Sequence, residues 1–104
     1  AINQDGTAGA ISTFADALPG LPDGIAFDDD RNLIVGCYEP SRLLRISADG
    51  TRTDVLIEDA TAHVFCHPTN IAFDGDQLYT ANLGRWHIAR VSVGIGAAPL
   101  WSKQ

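Results

Sequence analysis

The side chains best suited to chemistry in this 104-residue chain stand at matching places in two short phrases. Asp23 precedes Gly24 in Leu21-Pro22-Asp23-Gly24-Ile25-Ala26-Phe27-Asp28, and Thr69 precedes Asn70 in His67-Pro68-Thr69-Asn70-Ile71-Ala72-Phe73-Asp74. A carboxylate and an amide oxygen are hard donors of the kind Ca2+ takes, but that ion collects about six to eight oxygens, so two side chains fall short of a shell. A carboxylate can also activate water or attack an ester carbonyl directly. The plainer alternative for Asp23 is a turn residue, because Asp-Gly is a common turn pair.

The other candidates carry less. His63 and His67 lie four apart, but in a loop that contains Pro68 rather than on a helix, so they do not form a helical pair of metal ligands and a loop role is expected. His87 begins a strand beside Trp86 and could touch substrate near a channel mouth, or simply pack. Asp28-Asp29-Asp30 lacks the glycine and terminal glutamate of an EF-hand loop and is expected at a hairpin tip. Glu39 follows a strand with only its charge to recommend it as an acid. No phosphate-cradling glycine loop or serine-histidine-aspartate set is present.

The elements that must position these residues form a repeat. Pro22 aligns with Pro68, and Gly24 to Asp28 align with Asn70 to Asp74, at an offset of 46; after a one-residue deletion Leu33 meets Leu78, Leu43 meets Ile88 and Arg45 meets Arg90 at 45. Ile2-Asn3-Gln4-Asp5-Gly6-Thr7 likewise resembles Ile46-Ser47-Ala48-Asp49-Gly50-Thr51, which carries the frame to the N-terminus. This period suits propeller blades and the longer helical repeats alike. Strand-length apolar runs between turn residues decide for blades, since no stretch shows a helical period.

The expected architecture is all-β: a partial β-propeller with about two four-stranded antiparallel blades plus an extra N-terminal outer strand. Residues 1–18 would supply that outer strand of a preceding blade, with residues 10–15 extended. Residues 21–59 would make a complete blade. Residues 67–104 would make a second, with its last strand at 98–101 and Trp101 packed beneath it. In such a ring every innermost strand starts at one end of the central channel, which would bring Asp23, Gly24, Thr69 and Asn70 together. Closed propellers need four to eight blades. Either the polypeptide is longer, or copies of the chain complete the ring as a homo-oligomer, a trimer in the six-bladed case.

Composition bounds the partners. A net charge of −6 with only seven Lys and Arg residues argues against nucleic acid and anionic membrane surfaces, and no apolar run reaches the roughly 18 residues of a membrane span. Two cysteines, Cys37 and Cys66, lack metal or redox spacing; free buried thiols and a cytoplasmic setting are expected. The sequence starts at Ala1 rather than Met.

Residues 20–93 resemble a known family. Pro22-Asp23-Gly24-Ile25-Ala26-Phe27-Asp28, then Asn32-Leu33-Ile34-Val35-Gly36-Cys37-Tyr38 and Arg42-Leu43-Leu44-Arg45-Ile46, look like the senescence marker protein 30/gluconolactonase/luciferin-regenerating-enzyme family, related to diisopropylfluorophosphatase; Pro68-Thr69-Asn70-Ile71-Ala72-Phe73 with Leu78-Tyr79-Thr80 is similar to its following blade. The resemblance implies a six-bladed propeller of metal-dependent hydrolases acting on sugar lactones or related esters, with calcium or another divalent metal in the tunnel. It implies that Asp23 is a metal ligand and catalytic base and that Asn70 lines the same pocket; the ring geometry, rather than the resemblance, makes Asn70 a candidate second metal oxygen and puts Thr69, with His87 at the channel mouth, toward the substrate. The family's other ligands, a glutamate and an asparagine from earlier blades, have no counterpart here. The alternative is a non-catalytic propeller segment that serves as an interaction or oligomerising module.

Overall fold

Short runs of β-branched and aliphatic residues between Asp, Asn, Gly and Pro turns fold into antiparallel strands in the computed structural model, which describes residues 2–99. Strands β1 (Pro22–Phe27), β2 (Leu33–Cys37), β3 (Arg42–Ile46) and β4 (Thr53–Glu58) form one sheet in that order, and β5 (Pro68–Asp74), β6 (Gln77–Asn82) and β7 (Ile88–Ser92) form a second. The duplicated phrases are therefore β1 and β5, the inner strand of each sheet. They lie against each other.

Alternation along β2 and β3 divides their side chains between two layers. Ile34 and Leu43 point toward the second sheet and join Ile71, Leu78, Ala89 and the loop residue Phe65 in one core. Val35, Cys37, Leu44 and Ile46 point the other way into a second core. An apolar run such as Leu33-Ile34-Val35 is the pattern of a strand covered on both faces. Full burial of each Leu or Ile contributes roughly 1.5–3 kcal/mol. Cys37 and Cys66 are buried and unpaired, and burial pushes the Cys37 thiol up from its ordinary value.

The N-terminal segment departs from the sequence expectation. Residues 10–15 form no strand; among the described residues before Leu21 the β-pairing is an isolated bridge between Ile2 and Ala8. An outer strand needs a neighbouring ladder to take its N–H and C=O groups, and among the described residues the preceding blade has none. The segment instead lies irregularly over the second core through Ala15 and Leu18, pinned where Arg42 Nη1 donates to the Pro19 carbonyl at 2.6 Å. The extension of the repeat to residue 2 is nonetheless real. Asp5 Oδ1 accepts from the Thr7 amide and hydroxyl, as Asp49 Oδ1 does from those of Thr51, and Gly6 and Gly50 take the same left-handed backbone, φ 84° and 74°.

The second sheet has three strands rather than four among the described residues. After β7 the chain runs back to the first sheet, where Asp29 N donates to Gly96 O, Ala97 N to Gly75 O and Ala98 N to Phe27 O. Residues 96–98 thus tie the β1–β2 turn to the β5–β6 turn. Ala98 and Pro99 of the expected last strand form no strand, and its other half, Leu100 and Trp101, lies outside the described residues. No helix among the described residues is long and apolar enough to cross a membrane.

The repeat also explains an exposed face. Ala26, Ile34 and Leu43 of the first sheet are covered by the second; their counterparts Ala72, Tyr79 and Ile88 line an open apolar depression, with Ile88 71% exposed. Among the described residues no further sheet covers this face.

Candidate active site

The start of β1 and the start of β5 meet at one end of the molecule. Each strand carries an extra residue there: the pairing steps from Pro22↔Cys37 to Ile25↔Val35 in the first sheet, and from Pro68↔Asn82 to Asn70↔Ala81 in the second. Such bulges re-aim side chains and are common beside active sites. The two bulges fall on the same step of the repeat, at Asp23-Gly24 and at Thr69. A Cβ on Gly24 would stand 2.5 Å from Asn70 Cα and 2.7 Å from Thr69 O. Glycine is what allows the inner strands to close to that separation.

Gly24, the residue after Asp23, is thus set against Thr69 and Asn70. Asp23 is exposed. Asn70 Oδ1 accepts the Ile71 amide at 2.9 Å and faces Gly24, and Asn70 also lines the depression with Ala72, Tyr79, Ala81 and Ile88. That depression holds about 230 Å3, less than the ~300–1,000 Å3 of a complete ligand pocket, so it forms one wall of a site. Thr69 is half-buried, with its hydroxyl 3.5 Å from the Ala81 carbonyl.

His87 is engaged through its ring by the loop before β5. Its Nε2–H donates to the Val64 carbonyl at 3.0 Å, and its own carbonyl accepts from buried Asn82 Nδ2. Asp28 is also spoken for. Its fully buried carboxylate accepts from the amides of Asp30 and Asn32, from Asn32 Nδ2 and from Arg45 Nε and Nη2. Burial alone would raise its pKa, but the donors from Asn32 and Arg45 outweigh it and hold the carboxyl below the usual range. The acidic hairpin tip is therefore a folding device rather than a cation site.

Two groupings were not legible in the sequence. Asp59 gathers the 59–67 loop: its carboxylate accepts from the Thr61 hydroxyl and amide and from the amides of His63, Val64 and Phe65. Those donors, the Thr61 hydroxyl foremost, push its pKa well down. The same loop delivers His67 onto the end of β2. There its ring stacks on Tyr38, centroids 4.5 Å apart, while Nδ1 lies 2.7 Å from the Tyr38 carbonyl and 3.2 Å from Glu39 Oε2. The available signal was weak: two charged or titratable residues, each beside a proline.

A divalent cation is implied by the resemblance. The donor chemistry of Asp23 and Asn70 fits a hard ion, all oxygen and at least one anionic. The number does not complete a shell, and no group of three His, Cys, Asp or Glu gathers among the described residues. Water or residues from elsewhere would have to supply the balance.

Comparison with known proteins identifies the family. Searches of curated proteins and of solved structures return no match. The profile described as the SMP-30/Gluconolactonase/LRE-like region matches residues 2–83, which span both inner strands and the loop between them. The chain belongs to the SMP-30/gluconolactonase/LRE-like family.

Proposed function

We propose that this chain forms part of a metal-dependent hydrolase acting on sugar lactones or related esters, with its reacting end where β1 and β5 begin. The observation that supports the reading is the matched pair of bulges at Asp23-Gly24 and at Thr69, with Gly24 packed against Thr69 and Asn70. Asp23 serves as metal ligand or base, Asn70 contributes an oxygen and lines the pocket wall, and Thr69 offers a hydroxyl to the substrate. A divalent cation, calcium by the all-oxygen donors, would polarise the ester carbonyl when bound. Family membership, which includes lactonases, supports this reading.

The test is hydrolysis of a panel of sugar lactones by the full chain, with and without Ca2+. Asp23→Asn should lower kcat by on the order of 10²–10⁴ with the fold intact, and Ca2+ should raise the melting temperature of the wild type but not of the variant, because a ligand bound only to the folded state stabilises it by mass action. Wild-type activity in the variant rejects Asp23.

One observation favours a second reading, a non-catalytic module. The bare face at Ala72, Tyr79 and Ile88 is suited to another sheet, from a longer polypeptide or from copies of the chain. Absence of both lactone turnover and a Ca2+ shift would select it.

A further inference from the structure

We propose that His67 is the proton-transfer group of this site, a general base oriented by Glu39 and the Tyr38 carbonyl. This inference rests on the lactonase reading and refines it: Asp23 keeps the ligand role, and the proton goes to an imidazole.

The tautomer follows from the partners. Nδ1 faces the Tyr38 carbonyl at 2.7 Å and Glu39 Oε2 at 3.2 Å. Both accept and neither donates when Glu39 is ionised. Nδ1 must therefore carry the hydrogen, which leaves the lone pair of the neutral ring on Nε2. Among the described residues Nε2 has no hydrogen-bond partner, and the side chain is 30% exposed. A carboxylate that fixes one imidazole nitrogen so that the other can take a proton is the arrangement of an oriented base.

The ring is also immobilised on its remaining sides. The Tyr38 ring covers one face at an interplanar angle of 22°. Gly84 lies against the Cδ2 edge, where a Cβ would stand 2.7 Å away and would collide with Cys66 Sγ as well. The backbone is pinned too: His67 N donates to Ser41 Oγ, and Leu83 N donates to the His67 carbonyl. His67 adopts φ 53°, a left-handed conformation uncommon for a side-chain-bearing residue and frequent at functional sites. A solvated loop histidine would need none of these constraints.

Its position suits the role. Tyr38 N donates to the Leu21 carbonyl and Leu21 N to the Glu39 carbonyl, so the platform under His67 is hydrogen-bonded to the residue two before Asp23. On the other side Thr69 and Asn70, two and three residues beyond His67, touch Gly24, the residue after Asp23. Asp23 is bracketed by the His67 segment.

The step balances with water as the only co-reactant. Nε2 takes a proton from water as the oxygen bonds to the lactone carbonyl carbon. The ring C–O bond then breaks, its electron pair staying on the departing alkoxide oxygen, and Nε2–H returns the proton. Lactone and water become a hydroxy acid, nothing is oxidised or reduced, and His67 is regenerated. The titratable and charged groups around it are Glu39 and Tyr38 after β2, Cys66 beside it in the chain, and Arg85 next to Gly84, whose Nε donates to the Ala62 carbonyl.

Two measurements on the full chain test this. Long-range imidazole 15N NMR should show the Nδ1–H tautomer at neutral pH, with Glu39→Gln redistributing it; an Nε2–H tautomer in the wild type overturns the proposal whatever the activity. On a sugar lactone, kcat/KM of the wild type should fall on the acid side as one imidazole protonates. His67→Gln should remove that limb and lower kcat by on the order of 100-fold with KM little changed. If His67→Gln does not fold, as judged by circular dichroism, Glu39→Gln takes its place and should lower kcat while shifting the acid limb. Loss of activity in Asp23→Asn together with a wild-type pH profile in the folded His67→Gln or Glu39→Gln variant overturns the role of His67 and leaves the lactonase reading standing. A wild type that hydrolyses no lactone overturns both.

Discussion

Replacing Gly24 with alanine tests the contact on which the site depends. Gly24 lies outside the left-handed region, so its backbone alone does not require glycine. Gly→Ala at a compatible position stabilises by about 0.4–1 kcal/mol, because it restricts the unfolded chain. Here the added methyl would meet Asn70 Cα at 2.5 Å and Thr69 O at 2.7 Å. Both are backbone atoms of a paired strand, so neither can swing aside, and relief requires β1 and β5 to separate. Overpacking of this kind costs about 1–3 kcal/mol, and the upper part of that range applies against backbone. The net loss is about 2 kcal/mol, a fall in melting temperature of roughly 8–16 °C for a domain of this size. Gly36→Ala is the control: its Cβ would meet Ile71 Cγ2, a side-chain methyl, at 3.3 Å, and the variant should stay within about 1 kcal/mol of wild type. Thermal unfolding followed by circular dichroism at neutral pH reads both. A Gly24→Ala protein as stable as wild type, or as the Gly36→Ala control, would show that the inner strands are not held at this separation.

Four further outcomes are expected. Asp28→Ala should cost roughly 3 kcal/mol in urea unfolding, the lower part of the range for breaking a buried pair because Arg45 stays partly exposed; a loss under 1 kcal/mol rejects the buried network as a folding device. Asp59→Ala should abolish amide-exchange protection at Val64 and Phe65 and release the His67 stack on Tyr38, seen as altered ring shifts, while the β2–β3 amides stay protected. Asp5, Asp28, Asp49 and Asp59 all have folded pKa values below their ordinary 3.8, Asp49 down to about 2. Depressed carboxylates contribute fully above the unfolded value and lose that contribution as pH falls through the folded one, so stability should be flat from neutrality to about pH 5 and drop between about pH 4 and 2; a flat acid titration contradicts these hydrogen bonds. Native mass spectrometry should give a multiple of the 11.1 kDa chain, three copies in the ring-closing case, and Ile88→Lys should return it to one; a wild-type monomer at tens of micromolar rejects self-closure.

Much of the fold was legible because it is written locally. Alternating or continuous apolar runs between Asp-Gly, Asn and Pro turns specify strands within five or six residues, and the duplicated phrases announce that two sheets share one plan. The matched bulges follow from the same duplication, which is why the sequence puts Asp23-Gly24 and Thr69-Asn70 at equivalent places in the two sheets. Asp28 was harder. As one of three consecutive aspartates it reads as solvated charge, and only the antiparallel register that sets Arg45 across from Ile34 brings a guanidinium to it.

What the sequence determined by itself is the strand plan, the repeat and the family, since each depends on neighbours in the chain or on one phrase compared with another. What only the tertiary structure decided is how distant segments cover and touch one another: Ala15 and Leu18 of the N-terminal segment lie over a sheet face that no strand from residues 10–15 joins, residues 96–98 tie two turns together, and His67 meets Glu39 across 28 positions. The physical reason is that an unpaired segment takes whatever exposed apolar surface or unfilled hydrogen-bonding edge the finished sheets present, and that surface does not exist until both sheets have packed.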